Sequence, residues 1–348
     1  MNKEELKQKL REKPGYRKSG APNLSRIFGV SKNLAKAAVR EVNKEVEESA
    51  NVVIVNDTKS QYQEFLEWQA SKGVKETKKE EEVEEDVFEE DDNSAPSLRD
   101  QAGMHILMGC NHVPFENKQL HKGALKLIRD YKSIIKGFHL MGDFLDINTL
   151  SSHDKGRFTA VKGLTLDMEY DAGNILLDKF DGELPEDCWK TYLYGNHEDR
   201  WNRWMTNMDN AKTPLTSPEV GLGLRHRGYQ VKNRWSQDFF TIGKDFEIFH
   251  GIYFSIHCAK AHLDKLRTSC AFVHTHRSQT YREGQKAAYN IGSCADFSSK
   301  AFNYATRPMK AQWSNGFAIN MVDANGNSNV TQIHVNPDGH FWFGGKFY

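Results

Sequence analysis

The chain has 348 residues, enough for one large domain of about 200–250 residues and a smaller unit beside it. Hydrophobic residues make up 38% and charged residues 27%; no apolar run nears the roughly 20 residues of a membrane span, and the charged start MNKEELKQKLREK lacks a secretory signal's apolar stretch, so a cytoplasmic protein without a membrane partner is expected. Five cysteines without a CxxC pair argue against a disulfide framework or a zinc ribbon.

The formal net charge of zero hides an asymmetry. Residues 1–44 hold twelve Lys/Arg and four Glu, whereas residues 75–92 hold eleven Asp/Glu and three Lys. In the basic head, residues 1–72, Asn23–Phe28 reads as a short helix and Gly29-Val30-Ser31 as a turn ending in an N-cap serine. From Lys32 to Val46 a helix follows, with Leu34, Ala38 and Val42 at helical spacing. This pattern resembles a helix-turn-helix unit that contacts DNA or RNA; a small helical packing or oligomerisation module fits it as well. A further helix is expected over 58–72. Residues 73–99 read as an acidic tether, because crowded like charges with few apolar residues cannot offset the entropy of ordering.

From 100 to 348 the texture becomes that of a folded domain. Strands are expected at Met104–Gly109, Phe138–Met141, Trp189–Tyr194, Phe246–Phe249, Ala271–Val273, Ala288–Ile291, Gly316–Val322 and Val330–Val335. Leu120, Ala124, Leu127, Ile128, Tyr131 and Ile134 mark an amphipathic helix between the first two. Strands alternating with helices indicate an α/β sheet. Polar groups recur just past the strand ends: Cys110, Asn111, His112, Asp143, Asp146, Asn196, His197, His250, His274 and His276. Ligands of open α/β sheets gather at the carboxyl ends of strands. Imidazole and carboxylate bind Zn, Fe or Mn, an amide oxygen can supplement them, and two metals about 3.5–4 Å apart bridged by a carboxylate would use this many groups.

These segments resemble the calcineurin-like metallophosphoesterases over residues 104–348. Gly142-Asp143-Phe144-Leu145-Asp146 matches GDxxD, and Gly195-Asn196-His197-Glu198 matches GNH(E/D). His250-Gly251 matches the isolated histidine segment, and Val273-His274-Thr275-His276 matches GHxH with Val in place of Gly. Asn111-His112 stands where the opening DxH motif belongs. The surroundings of His112 and Asn196 are similar to a group found in bacteriophage genomes.

The resemblance implies a four-layer α/β/β/α sandwich and metal-dependent phosphoester hydrolysis at two divalent ions (Mn, Zn or Fe), either by a nuclease acting on DNA or RNA or by a phosphatase or phosphodiesterase for nucleotides or phosphoproteins. It implies that Asp143 bridges the metals, that His112 and His276 hold one, and that Asn196, His250 and His274 hold the other. His197 would protonate the leaving group, and Asp146 would orient a ligand or Asn196. The departure is Cys110, where the family has Asp. A thiolate there is a soft ligand favouring zinc or iron; a neutral packed thiol would weaken or abolish metal one. The second possibility keeps a rival of another class in view, a nucleic-acid-binding or scaffold protein that retains the fold. Oligomeric state is left open.

Neighbouring residues have plainer readings. Trp201, Trp204, Met205 and Met208 at helical spacing suggest a buried helix face. Asp199 and Arg203 suit a surface ion pair. Arg200 is a candidate substrate-phosphate contact, and His153, Lys155 and Arg157 are candidates for the cleft rim. His257 and His262 are read as non-ligands, and His105 and His139 as sheet or core residues.

Overall fold

The computed structural model describes residues 2–12, 27–28, 30–31, 33–39, 41–42, 94–151, 163–206 and 215–348. The expectations for a helix over 58–72, for the tether up to residue 93, and for His153, Lys155, Arg157 and Met208 lie outside the described residues. The chain divides into two compact units, Met1–Val87 and Phe88–Tyr348.

In the first unit a helix not anticipated from sequence, α1 (Lys3–Glu12), buries Leu6 and Leu10. Residues 33–39 are also helical, and Val30, Ala35, Ala38 and Val42 share one apolar cluster with the two leucines. Ser31 Oγ accepts the backbone N–H of Leu34 at 3.2 Å, the capping bond expected of a helix-initiating serine. Lys7 pairs with Glu41 at 3.3 Å.

The second unit contains two multi-strand sheets. The first is built from β1 (Gly103–Met108), β2 (Ile135–Leu140), β3 (Trp189–Leu193) and β4 (Tyr229–Lys232). β5 (Phe240–Ile242), β6 (Phe246–Ile248), β7 (Ser269–Phe272), β8 (Ser278–Glu283) and β9 (Lys286–Ile291) form the second, and β10 (Gly316–Val322) and β11 (Ser328–His334) return to the first. The orders are β11-β10-β1-β2-β3-β4 and β5-β6-β7-β9-β8. β1 to β4 run parallel, as do β6, β7 and β9. Their carboxyl ends therefore lie along one rim of each sheet.

Strand alternation sorts the side chains into layers. Met104, Ile106 and Met108 of β1 join a core with Leu120, Ala124, Leu127 and Ile128 of α2 (Lys118–Tyr131) and Leu176, Leu177 and Phe180 of α3 (Leu166–Glu183). Leu107 of β1 faces the other way, into a core shared with Ile242, Ile248, Ala271 and Ile291 of the second sheet. Cys270, Phe272 and Ala288 of that sheet turn outward onto Cys258, Ala259 and Leu263 of helix Cys258–Leu266. Helix, sheet, sheet, helix is the result. All five cysteines are buried and free, and among the described residues no helix is long and apolar enough to cross a membrane.

Between the sheets, His105 and His139 stack with their ring planes 7° apart. His105 Nε2–H donates to the Gln101 carbonyl at 2.7 Å, its Nδ1 accepts from His139 Nε2–H at 3.0 Å, and His139 Nδ1 accepts from the Thr191 hydroxyl at 2.9 Å. One neutral tautomer of each ring satisfies the whole chain, so both are sheet residues, as expected. Burial lowers His105 to about 4; burial first, then His105 beside it, holds His139 well below its ordinary range.

One expected packing surface is corrected. The helix Asp199–Met205, α4, buries none of its residues, and Trp204 is 36% exposed. Only seven residues long, α4 sits beyond the end of β3, outside the layers, so helical spacing of apolar residues does not translate into burial there. Trp201 is tied down through its indole N–H, which donates to the Leu215 carbonyl at 3.1 Å. Asp199 and Arg203 do form the expected ion pair, at 3.1 Å.

Candidate metal centre

Every strand that aims a polar residue at the pocket does so just past its carboxyl end. Beyond β1 and β2 the parallel ladder continues: Cys110 N–H donates to Gly142 O and His112 N–H to Asp143 O, both at 2.9 Å. The backbone then turns sharply. Seven described non-glycine residues have positive φ, and five of them are Cys110, His112, Asp143, His274 and His276. Such residues cost roughly 1–3 kcal/mol each, so the strain is concentrated where the side chains must converge. Two glycines allow the close approach. A Cβ on Gly195 would lie 2.2 Å from Asp143 Oδ1, and one on Gly142 would lie 2.6 Å from His250 Nδ1.

Asp143 sits at the centre, 1% exposed. Its Oδ1 accepts the backbone N–H of His197 at 2.9 Å. Its Oδ2 lies 3.1 Å from His250 Nε2 and 3.9 Å from His112 Nε2. His250 Nδ1–H donates to the Met141 carbonyl at 3.0 Å, which leaves Nε2 as a lone pair in the neutral ring. That lone pair faces Asp143 Oδ2 and, at 3.1 Å, Asn196 Oδ1. The same holds on the other side. His112 Nδ1–H donates to Asp146 Oδ1 at 2.9 Å, and His112 Nε2 faces His276 Nε2 at 3.0 Å. The His274 ring is 5.0 Å from that of His250, and its buried Nδ1 has no hydrogen-bond partner.

Imidazole nitrogens, a carboxylate and an amide oxygen thus converge, a donor set that suits a divalent cation. Donor atoms of Cys110, His112 and His276 lie within 4.8 Å of one another, as do those of Cys110, Asp143 and His250, and of His112, Asp143 and His197. The residues present therefore fit a bound divalent cation.

Electrostatics agree with this arrangement. Burial alone would raise the Asp143 carboxyl, but the imidazoles of His250, His197 and His112 outweigh it and hold the group ionised well below the usual range. Burial, with His250 as the next cause, brings His274 down to about 3. Burial, then His112, keeps His276 well below its ordinary value. These imidazoles are neutral, the form that binds metal. His197 differs. Burial pulls it down, but the Asp143 charge together with the hydrogen bond and charge of Asp146 outweighs it, and the net shift is upward.

Asp146 orients two rings. Its Oδ1 accepts from His112 and lies 3.2 Å from His197 Nδ1, which also meets the Asp146 carbonyl at 2.7 Å. No bond from Asp146 to Asn196 accompanies these, so of the two orienting roles expected it takes the ligand-orienting one. Arg200 donates to the Asp146 carbonyl at 2.8 Å and reaches His197 Nε2 at 3.2 Å. Cys110 is fully buried, and its Sγ accepts the backbone N–H of His274 at 3.1 Å. Burial, then Asp143, pushes this thiol well up. Asn111 turns away from the pocket and donates to His121 of α2 at 2.8 Å. His262 is also no ligand: its Nε2 accepts the backbone N–H of Ile252 at 3.0 Å. His257 is exposed at the start of its helix.

Three features escaped the sequence reading. Glu198, the last residue of the quoted GNHE segment, is fully buried. Its carboxylate accepts the backbone N–H groups of Asp143 (2.9 Å), Leu145 (3.0 Å) and Gly195 (2.9 Å) and the Tyr192 hydroxyl (2.9 Å). It locks the loops after β2 and β3 together, and its place beside His197 was the available signal. Glu169 of α3 accepts from Asn148 N–H at 3.2 Å and from Ile147 N–H; burial, then Asp146, lifts it to about 8. An aromatic group, Phe297, Phe302, Tyr304 and Trp313, lies against His112 and His276.

No protein-family model matches the chain, and neither does any curated protein. Among solved structures the chain is similar to vacuolar protein sorting 29 from Cryptosporidium parvum, at 13% identity and a TM-score of 0.37, over 71% of this chain and 95% of that one. It is similar to an archaeal phosphodiesterase at 14% identity and a TM-score of 0.34, covering 66% and 99%. A predicted phosphoesterase from Streptococcus pneumoniae TIGR4 is 13% identical, with a TM-score of 0.28 and coverages of 71% and 97%.

Proposed function

We propose that the second unit is a metallophosphoesterase of the calcineurin-like kind, hydrolysing a phosphoester at two divalent ions. The observation that carries the reading is the convergence of Asp143 Oδ2 and Asn196 Oδ1 on His250 Nε2, each at 3.1 Å, while His250 Nδ1 meets the Met141 carbonyl. In this account His112 and His276 hold one ion, Asn196, His250 and His274 hold the other, and Asp143 bridges them. Bound there, two divalent ions would neutralise phosphoryl oxygens and bring the pKa of water near neutrality, supplying the nucleophile.

The remaining work falls to the chain. His197 would supply the proton that the leaving oxygen needs: its pKa is shifted up where those of His274 and His276 are shifted down, and Arg200 would have to leave its Nε2 as substrate enters. Asp146 fixes the ring through Nδ1, so Nε2 is the nitrogen that can face substrate. Arg200, already at His197 Nε2, is placed to follow a phosphoryl oxygen arriving there. Glu198 keeps Asp143 and the Gly195 turn in register.

Nucleic acid or a nucleotide is the substrate class we favour, with the basic head as a candidate contact for DNA or RNA. The test is an activity panel with Mn, Zn, Fe and Mg on bis-p-nitrophenyl phosphate, p-nitrophenyl phosphate and single- and double-stranded DNA. Hydrolysis of the diester supports the reading; inactivity with every metal and substrate counts against it.

A second reading, a scaffold that keeps the fold, draws on Cys110. Its thiol is buried, pushed towards the neutral form, and hydrogen-bonded to backbone. Metal content separates the two, since a scaffold of this kind would hold one ion or none.

A further inference from the structure

The pocket has an aromatic flank that metal binding does not require. Trp313 lies edge-on to His276 with ring centroids 4.8 Å apart, and Phe297 stacks on His276 at 5.6 Å. Phe302 packs against His112 at 5.4 Å. Phe302 is 1% exposed and serves as core, whereas Tyr304 is 47% exposed and Trp313 is half-buried. The Tyr304 and Trp313 rings are 6.3 Å apart at 60°.

Tyr304 reaches the pocket's edge through Phe302, whose ring centroid is 6.5 Å from its own and 5.4 Å from that of His112. A large aromatic ring exposed beside a buried polar centre costs apolar hydration unless something covers it.

We propose that Tyr304 and Trp313 form a stacking subsite for the nucleobase of a nucleoside phosphoester whose phosphate would sit on the metal centre that His112, Asp143 and His276 hold. This rests on the phosphoesterase reading and names its substrate class. A sugar spaces a phosphate from a base, so a phosphate at that centre sets the base against the rings next to His276. Every base has a π-face, so such a site tolerates different bases.

The test uses the full-length protein and two phosphomonoesters of equal charge, thymidine 5′-monophosphate and methyl phosphate, in calorimetric titrations. The wild type should bind the nucleotide about tenfold more tightly, as expected for one stacked base. Tyr304→Leu and Trp313→Leu should remove that preference while leaving methyl phosphate unchanged, and Tyr304→Phe and Trp313→Phe should keep it. Tyr304 is exposed enough that its variants should fold, and circular dichroism checks each one.

Equal affinity for the two ligands, absence of binding by both, or a preference unaffected by the leucine variants would overturn the subsite. So would phenyl phosphate binding as tightly as the nucleotide, which would make the flank a general aryl site. In parallel, kcat/KM is compared for the p-nitrophenyl esters of thymidine 5′-monophosphate and methyl phosphate, which share one leaving group. A binding preference lost in the leucine variants without turnover of either ester would sink the hydrolase reading and leave the subsite standing.

Discussion

His112 Nε2 and His276 Nε2 face each other at 3.0 Å, although the residues lie 164 positions apart. His112 keeps its proton on the far nitrogen, where Asp146 accepts it. Two β-strands from different sheets thus deliver two imidazole nitrogens to one point, next to a carboxylate held ionised.

Catalysis and metal binding separate at His197. Its Nδ1 is engaged by Asp146, so His197→Ala should keep the metal content of the wild type while losing about 10²–10⁴ in rate. The loss should be smaller on a p-nitrophenyl ester than on an alkyl ester, because p-nitrophenolate needs little protonation. Equal defects on both esters would remove the general-acid role.

Glu198 is a structural clamp with consequences for the pocket. Glu198→Ala would strip partners from three buried backbone N–H groups and the Tyr192 hydroxyl. It should destabilise the second unit by about 3 kcal/mol or more, measured by urea unfolding, and weaken metal affinity. Glu198→Gln should recover part of both. A loss below about 0.5 kcal/mol, the range of ordinary surface changes, would rule out the clamp.

Much of the pocket was legible because its side chains sit in short motifs at strand ends. GDxxD and GNHE name Asp143, Asp146, Asn196 and His197 without any knowledge of the sheets. Glu198 was harder to read, since the backbone donors it accepts come from two separate loops and only its place beside His197 hints at its burial. β4, β5 and β8 were missed because they are short or exposed: β5 has three residues, and no residue of β8 is fully buried. Tyr304 and Trp313 come from a segment without strand or helix periodicity. Spacing misled at Trp201 and Trp204, since the seven-residue helix buries none of its residues.

Stability should fall in acid because of the inter-sheet histidine chain. His105 is lowered to about 4, and an unfolded His titrates near 6.5. The unfolded chain therefore takes up protons that the folded chain refuses between those values. Stability from this source is complete above about pH 6.5 and is lost as pH falls towards 4. His105→Gln should reduce the slope of unfolding free energy against pH, between pH 4.5 and 6, by about 1.4 kcal/mol per pH unit. An unchanged slope in urea titrations would show that His105 does not carry this dependence.

Cys110 sets the metal preference if its sulfur is a ligand. Cys110→Asp replaces a soft donor by a hard one and should raise activity with Mn or Mg relative to Zn. Because Sγ also accepts the His274 N–H, a carboxylate oxygen there can preserve that bond. An unchanged metal profile would mark Cys110 as a packed thiol.

The most direct measurement is the number of divalent ions held per chain, by inductively coupled plasma mass spectrometry after loading with Mn, Zn or Fe and removal of excess metal. The account predicts two ions in the wild type and loss of both tight sites in Asp143→Ala, whose carboxylate stands between them. A wild type that retains no ion under any loading, or an Asp143→Ala variant that retains as many as the wild type, would contradict it.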